Sequence, residues 1–141
     1  MSTRAMIGIK MPDGRVQATY LHNDGYPLHA GYILATFYGT AEKVRTLLSL
    51  GELSAIAERP APAPNEPHTF ADPAPGVTVA YHRDRGEALC PAKRYASPEA
   101  YLTEATRDTP ASYLYLFDGD HWLYASQATA EFIEIKFTTG E

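Results

Sequence analysis

Apolar and polar residues alternate near the start of the chain in two short runs, residues 4–10 (RAMIGIK) and residues 15–22 (RVQATYLH). Alternation with a period of two is typical of a strand with one buried face. The side chains that share a face are Ala5, Ile7 and Ile9 in the first run and Val16, Ala18 and Tyr20 in the second. The segment MPDG between the runs is a Pro-Asp-Gly turn, so the pattern predicts an opening β-hairpin.

Two helices in series are predicted to follow the hairpin. The first covers residues 28–38, because Pro27 has a fixed φ that suits the first helical position and Gly39 ends the run. Thr40 then caps the second helix, AEKVRTLLSL, whose apolar stripe consists of Val44, Leu47 and Leu48. Gly51 supplies the left-handed residue that ends this helix.

A proline-rich segment follows at residues 59–76, which contain six of the chain's eleven prolines. Proline lacks a backbone donor and is excluded from helix interiors and central strands. We therefore interpret residues 59–76 as a loop within a single domain.

The rest of the chain is predicted to contain four more strands and one helix. VTVAYH (residues 77–82) is the third strand, and RDRGEALCPAKRYA is irregular. Ser97 caps a helix that begins at Pro98 and directs Tyr101, Leu102 and Ala105 inward. SYLYLF, the turn DGD and HWLYAS form a second hairpin. EFIEIKF closes the chain, with Ile133, Ile135 and Phe137 on one face and Glu134 and Lys136 on the other.

These elements predict the α+β class, with an antiparallel, twisted sheet of about five or six strands and helices packed on one face. A length of 141 residues and a hydrophobic fraction of 45% match one domain spanning residues 1–141. The start of the chain lacks a signal-peptide pattern, and no apolar run approaches the roughly 20 residues that cross a bilayer. The single cysteine, Cys90, is interpreted as a packed thiol. We expect a cytoplasmic protein without membrane contact.

The formal net charge of −5 argues against nucleic-acid binding over the whole surface. Four basic residues do cluster in the sequence: Arg83, Arg85, Lys93 and Arg94. They could form a local nucleic-acid surface, which is one of three hypotheses for the function. The chain has no GxxxxGKS/T, GxGxxG, HExxH, GxSxG or CxxC motif. We therefore expect neither a cofactor nor a metal, and we assign no catalytic residue.

The segment HNDGYP (residues 22–27) is the first candidate site, through His22, Asp24 and Tyr26. An imidazole beside a carboxylate is the pairing that proton transfer requires, and His29 could complete a metal site. The same residues also suit a turn, in which Asp24 bonds the following backbone and His22 is a satisfied polar group at a strand end. Structural, binding and catalytic roles remain open on these grounds.

The segment YHRDRGE (residues 81–87) is the second candidate site, with Arg83, Asp84, Arg85 and Glu87 as its charged residues. These side chains could form an ion-pair network that fixes a loop, or present two guanidinium groups to phosphate or carboxylate. The aromatic residues of the second hairpin fit a core better than a base-stacking platform; they are Tyr113, Tyr115, Phe117, Trp122 and Tyr124. The chain has ten tyrosines, and exposed tyrosines favour protein interfaces.

Three segments together resemble a group of small proteins encoded by bacteriophages, prophages and mobile elements: MSTRAMIGIKMPDG, HNDGYP, and YHRDRGE followed by YLYLFDGDHWLYA. Members of that group typically begin MSTRS, carry a motif similar to HWDGYP, and have an RDRGE segment before a tyrosine-rich hairpin. Asn23 stands where the group has tryptophan, whereas RDRGE at residues 83–87 is intact. The group has no assigned activity, so the resemblance implies a genomic context rather than a mechanism.

The acidic balance, the tyrosines, the missing catalytic motifs and this resemblance favour a non-enzymatic phage or prophage protein that inhibits a host protein. The expected target is a host-defence protein or nucleoprotein complex in the bacterial cytoplasm, as for an anti-CRISPR or anti-restriction protein, because carboxylates can occupy a groove meant for phosphates. Direct nucleic-acid binding is not expected, and the oligomeric state is open. The alternative is a small enzyme or a nucleotide- or phosphate-binding protein whose site joins HNDGYP to YHRDRGE, which requires His22 and Arg83 on the same side of the sheet.

Overall fold

The computed structural model describes residues 3–126, 129 and 131–135. The strands of its sheet are β1 Ala5–Lys10, β2 Val16–Leu21, β3 Leu53–Ala55, β4 Val79–Ala80, β5 Lys93–Tyr95, β6 Tyr113–Phe117, β7 Trp122–Ser126 and β8 Ile133–Glu134. A π-helical segment, Pro27–Gly31, continues into α1 Tyr32–Phe37, and the other helices are α2 Ala41–Leu48, α3 Tyr81–Arg85 and α4 Pro98–Asp108. The predicted α+β class is confirmed.

The sheet is mixed, so the prediction of an antiparallel sheet is wrong. Its strand order is β4-β3-β2-β1-β6-β7-β8, and β5 pairs with the first half of β2. Both predicted hairpins are present, but β1 is parallel to β6 and β2 is parallel to β3. The helices between β2 and β3 carry the chain back to the same end of the sheet, as a parallel connection requires. With eight strands among the described residues, the sheet also exceeds the five or six predicted.

Helices cover both faces of the sheet rather than the one face predicted. Alternate side chains of β1 pack against α1 and α2; they are Ala5, Ile7 and Ile9. Met6 lies on the opposite face of β1, in a cluster with Tyr101 and Ala105 of α4. A Cβ atom at Gly8 would lie 3.1 Å from the ring of Tyr101, so glycine allows this close packing. Strand β1 is therefore buried on both faces, as central strands are.

The predicted starts of α2 and α4 are confirmed, whereas α2 ends at Leu48 and not at Leu50 as predicted. The hydroxyl of Thr40 accepts a hydrogen bond from the amide of Lys43 at 3.3 Å, and Ser97 caps α4 through the amide of Ala100 at 3.0 Å. Gly51 has a φ of +78°. The first predicted helix is divided, because the amide of Tyr32 donates to the carbonyl of Pro27 and creates the wider π-helical turn.

The third predicted strand is mostly wrong, because only Val79–Ala80 forms a strand, Val77 makes an isolated β-bridge with Arg59, and α3 begins at Tyr81. The carboxylate of Asp84 accepts a hydrogen bond from the amide of Ala80 at 2.9 Å, which stabilises the start of α3. Gly86 ends the helix with a φ of +74°. The segment predicted to be irregular thus contains the last three residues of α3 and all of β5, and strand β3 was not predicted either.

The remaining predictions have mixed outcomes. The side chains of Tyr115, Phe117 and Trp122 are buried, which confirms the core interpretation of the second hairpin. Cys90 is exposed, so its interpretation as a packed thiol is wrong. Strand β8 covers part of EFIEIKF, whereas Lys136 and Phe137 lie outside the described residues. Within the described ranges, no helix has the length and apolar character needed to cross a membrane.

Candidate functional site

The two candidate segments meet through His22 and Tyr81. Strands β3 and β4 pair beside the end of β2, where the amide of His22 donates to the carbonyl of Leu53 at 2.9 Å. The amide of Tyr81 donates to the carbonyl of Glu52 at 3.2 Å, which fixes the start of α3 at the same end of the sheet. The hydroxyl of Tyr81 consequently lies 3.0 Å from Nδ1 of His22, within hydrogen-bond distance.

Further aromatic rings and a guanidinium group surround this contact, and we call the set the His22 cluster: Tyr20, His22, Phe70, Tyr81 and Arg85. The ring of Tyr20 meets His22 edge to face at 6.0 Å between centroids. The guanidinium carbon of Arg85 lies 4.6 Å from the ring centroid of Phe70 and 4.9 Å from that of Tyr81. Arg85 also forms an ion pair with Glu87. Cation–π contacts and this ion pair therefore already engage Arg85.

Asp24 and Tyr26 do not join the His22 cluster. Asp24 is exposed and has a φ of +56°, as expected of an aspartate in a turn. Among the residues that the structure describes, the carboxylate of Asp24 makes no hydrogen bond or ion pair with His22 or with residues 81–87. Tyr26 is 41% exposed, and its ring contacts that of His29 at 5.8 Å between centroids. The imidazole–carboxylate pair required for proton transfer is therefore not formed by His22 and Asp24.

Asp84 lies at the centre of a second, buried set of polar residues, which we call the loop anchor: His68, Arg83 and Asp84. The Nε and Nη2 atoms of Arg83 donate to the two carboxylate oxygens of Asp84 at 2.7 and 2.9 Å. Nε2 of His68 lies 3.0 Å from Oδ2 of Asp84, although without the alignment of a straight hydrogen bond. The side chains of His68 and Asp84 are each only 3% exposed.

The electrostatics of the loop anchor favour an ionised Asp84. Burial alone raises the pKa of this carboxyl, but hydrogen bonds from Arg83 and from the Ala80 amide, together with the adjacent His68 ring, outweigh it and lower the pKa to about 2. Nδ1 of His68 accepts a hydrogen bond from the amide of Ala74 at 3.0 Å. Because that nitrogen carries a lone pair, the ring proton of neutral His68 is on Nε2, facing the carboxylate.

The loop anchor holds the proline-rich segment against α3. Nη1 of Arg83 donates to the carbonyl of Pro60 at 2.6 Å, and Nη2 donates to the carbonyl of Thr78 at 2.6 Å. A second, bidentate pair inside the loop joins Arg59 to Glu66 at 2.9 and 3.0 Å. Arg83 therefore uses its donors on the protein itself, as the ion-pair interpretation of YHRDRGE predicted, and does not present them to a ligand.

The basic cluster predicted from the sequence is divided in three dimensions. Arg83 and Arg85 pair with Asp84 and Glu87 in and beside α3. Lys93 and Arg94 belong to β5, which pairs with the first half of β2, whereas His22 follows the last residue of that strand. A continuous nucleic-acid surface built on all four side chains is therefore not supported by their positions.

Sequence reasoning missed Phe70 and His68, which both lie in the proline-rich loop. A signal was present, since a histidine and a phenylalanine stand among prolines and small residues at residues 59–76. Their partners, Asp84 and Arg85, are 16 and 15 positions away along the chain, and only the folded loop brings them together.

A third feature is an exposed apolar surface on the π-helical segment and the start of α1, which we call the Leu28 surface: Tyr26, Leu28 and Tyr32. Their exposed fractions are 41%, 80% and 48%. Leu28 and Tyr32 are four positions apart and therefore project from one side of the helical segment. Within the described ranges, four of the six exposed large apolar side chains fall at residues 26–37.

In the part of the chain that the structure describes, no group of three or more His, Cys, Asp or Glu residues is arranged to hold a metal ion. The chemistry that the arrangement offers is a half-buried imidazole–phenol contact and a buried salt bridge. Comparisons with known proteins add no family assignment, because no family model, no curated protein sequence and no solved structure matches this chain.

Proposed function

We propose that this protein acts by binding another protein rather than by catalysis, and that the Leu28 surface is its contact. The observation that carries the proposal is the exposure of Leu28, which is 80% exposed and stands between two exposed tyrosines, Tyr26 and Tyr32, along the chain. Clustered apolar and aromatic side chains on a surface mark interaction sites, and tyrosine is enriched among the residues that dominate binding energy.

The candidate sites identified from the sequence support a binding role over a catalytic one. The donors of Arg83 are used by Asp84, Pro60 and Thr78, and Arg85 is paired with Glu87. A reactive site needs groups that are available to a substrate in suitable geometry. The side chains of YHRDRGE instead stabilise the fold around the proline-rich loop.

The proposed partner is a host-defence protein of the bacterial cytoplasm, consistent with the resemblance to phage and prophage proteins. The formal net charge of −5 supports a target that handles nucleic acid, because an acidic protein is attracted to the basic surface with which such a target holds phosphates.

Affinity capture from lysates of several bacterial hosts tests the binding role. The tagged wild-type protein should retain one partner in stoichiometric amounts. Leu28→Asp should retain at least about tenfold less, because a charge replaces an apolar side chain that the complex would bury. Thr103→Asp is the matched control, since Thr103 is exposed on α4 and should leave capture unchanged. Equal retention by Leu28→Asp, or no stoichiometric partner in any host, would refute the proposal.

A plating assay tests the choice of target. Bacteria that carry an active CRISPR or restriction system should become sensitive to a targeted phage when they produce the wild-type protein. Production of Leu28→Asp should leave the defence intact, provided that the variant accumulates to the same level. If neither system is inhibited although a partner is captured, the inhibitor assignment fails while the binding role stands.

A further inference from the structure

We propose that the protein also has a binding cleft for a small phosphate ester, formed by Arg45, Arg94 and Gln17. The cleft has a volume of about 370 Å³, which lies within the range of small-molecule sites. Arg45 comes from α2, Gln17 from β2 and Arg94 from β5, so the site depends on three elements that are distant in sequence. It is separate from both the Leu28 surface and the loop anchor.

The positions of Gln17 and Arg94 follow from strand pairing. The two residues are directly opposite each other in the antiparallel pair of β2 and β5. Opposite residues of a strand pair project from the same face of a sheet. Leu21 shares this face of β2 and packs with Val44 and Leu47 of α2. Helix α2 therefore places Arg45 at the rim of the same cleft.

Arg45 is not needed for the structural role that a basic residue often has in the last turn of a helix. That role is to bond the final carbonyl groups. Here the carbonyls of residues 45–48 already accept hydrogen bonds, from the Ser49 amide and hydroxyl, the Leu50 amide and the Gly51 amide. Among the residues that the structure describes, neither Arg45 nor Arg94 forms a salt bridge, and the side-chain amide of Gln17 has no hydrogen-bond partner.

The lining of the cleft indicates the class of ligand. Two guanidinium groups, each with several N–H donors, and one amide suit the charge and the terminal oxygens of a phosphate monoester. The remaining wall is largely apolar and consists of Leu48, Leu89, Pro91 and Ala92, with Ser49 as its one polar residue. Leu89 is 47% exposed, so it offers surface to the organic part of the ligand. An adjoining cleft shares Gln17 and Arg94 with this one and is also lined by Asp13. The carboxylate of Asp13 pairs with Arg15.

Titration of the isotopically labelled full chain with AMP, followed by NMR, tests this proposal. The Nε–H signals of Arg45 and Arg94 and the side-chain amide signals of Gln17 should shift saturably. Arg45→Gln and Arg94→Gln should each weaken AMP binding by about tenfold or more, because each removes a charge-assisted hydrogen bond. Arg107→Gln is the matched control, since Arg107 is an exposed arginine on α4 that pairs with Asp108.

Two further probes define what binds. Inorganic phosphate should shift the same signals but bind at least about tenfold more weakly than AMP, because it cannot contact the apolar wall. Equal affinity for the two would overturn the assignment of a phosphate ester. A single-stranded oligonucleotide that bound far more tightly than AMP and weakened steeply with salt would indicate a nucleic-acid surface instead. The absence of any saturable shift with AMP would also refute the proposal.

Discussion

Asp84 connects more parts of the structure than any other single carboxylate described above. It accepts hydrogen bonds from the Ala80 amide and from Arg83, and it lies against His68 of the proline-rich loop. A buried carboxylate is costly to leave unpaired. If the charge of Asp84 is removed, its partners in turn lose the group with which they pair. The side chain therefore stabilises the start of α3 and the attachment of the loop at the same time.

Asp84→Asn should lower the free energy of unfolding at pH 7 by about 3 kcal/mol, because a buried ion pair is broken on one side. The low pKa of Asp84, about 2 against an ordinary value of 3.8, means that its contribution is present above about pH 4 and is lost as the pH falls towards 2. Urea unfolding at a series of pH values measures both effects, and the variant should lack this part of the pH dependence.

Asp108→Asn provides the matched control for this experiment. Asp108 pairs with Arg107 on the exposed side of α4, and exposed ion pairs contribute little. If Asp84→Asn were no less stable than Asp108→Asn at pH 7, Asp84 would not anchor the loop as described.

At the level of elements, the turn after β2 depends on the small size of Gly25. Its amide donates to the carbonyl of Thr3 at 2.8 Å, and its carbonyl accepts a hydrogen bond from the buried hydroxyl of Tyr115 at 2.6 Å. A Cβ atom at Gly25 would lie 2.7 Å from Cβ of Ala5 and 3.0 Å from the carbonyl oxygen of Thr3. The HNDGYP turn is thus packed directly against the start of β1.

Gly25→Ala should destabilise the protein by about 1–3 kcal/mol, because the added methyl group forces β1 and the turn apart. Gly39→Ala is the control, since a Cβ atom at Gly39 would meet nothing within 4 Å. Thermal unfolding of the two variants measures the difference. Equal melting temperatures would show that the turn does not pack on β1 as described.

Local features of the fold could be predicted from the sequence more fully than long-range contacts. The caps at Thr40 and Ser97 and both hairpins were predictable, because each depends on neighbouring residues. The run AMIGIK is apolar at nearly every position, which already indicates that both faces of β1 are buried. The period-two alternation by itself predicts only one buried face. The contact of His22 with Tyr81 joins residues 59 positions apart. It depends on the short strand β3, for which the sequence carries little signal, and on β4, the part of the predicted third strand that forms.

At the scale of the whole molecule, two exposed surfaces differ in their chemistry. The net charge is −5, yet the cleft beside β5 is lined by Arg45 and Arg94, and the Leu28 surface is aromatic and aliphatic. Two surfaces of different chemistry on a chain of 141 residues support the proposal that the protein meets other molecules through its exterior. The central claim is that the Leu28 surface is the one that contacts a protein partner.

Site-specific photo-crosslinking in bacterial cells tests this claim most directly. A benzophenone amino acid placed at Leu28 should form a covalent adduct with one host protein, identifiable by mass spectrometry, because position 28 would lie within the interface. The same amino acid at Thr103, exposed on α4, should form no such adduct. An adduct with the same protein at Thr103 but not at Leu28, or no adduct at Leu28 in any host, would contradict the account.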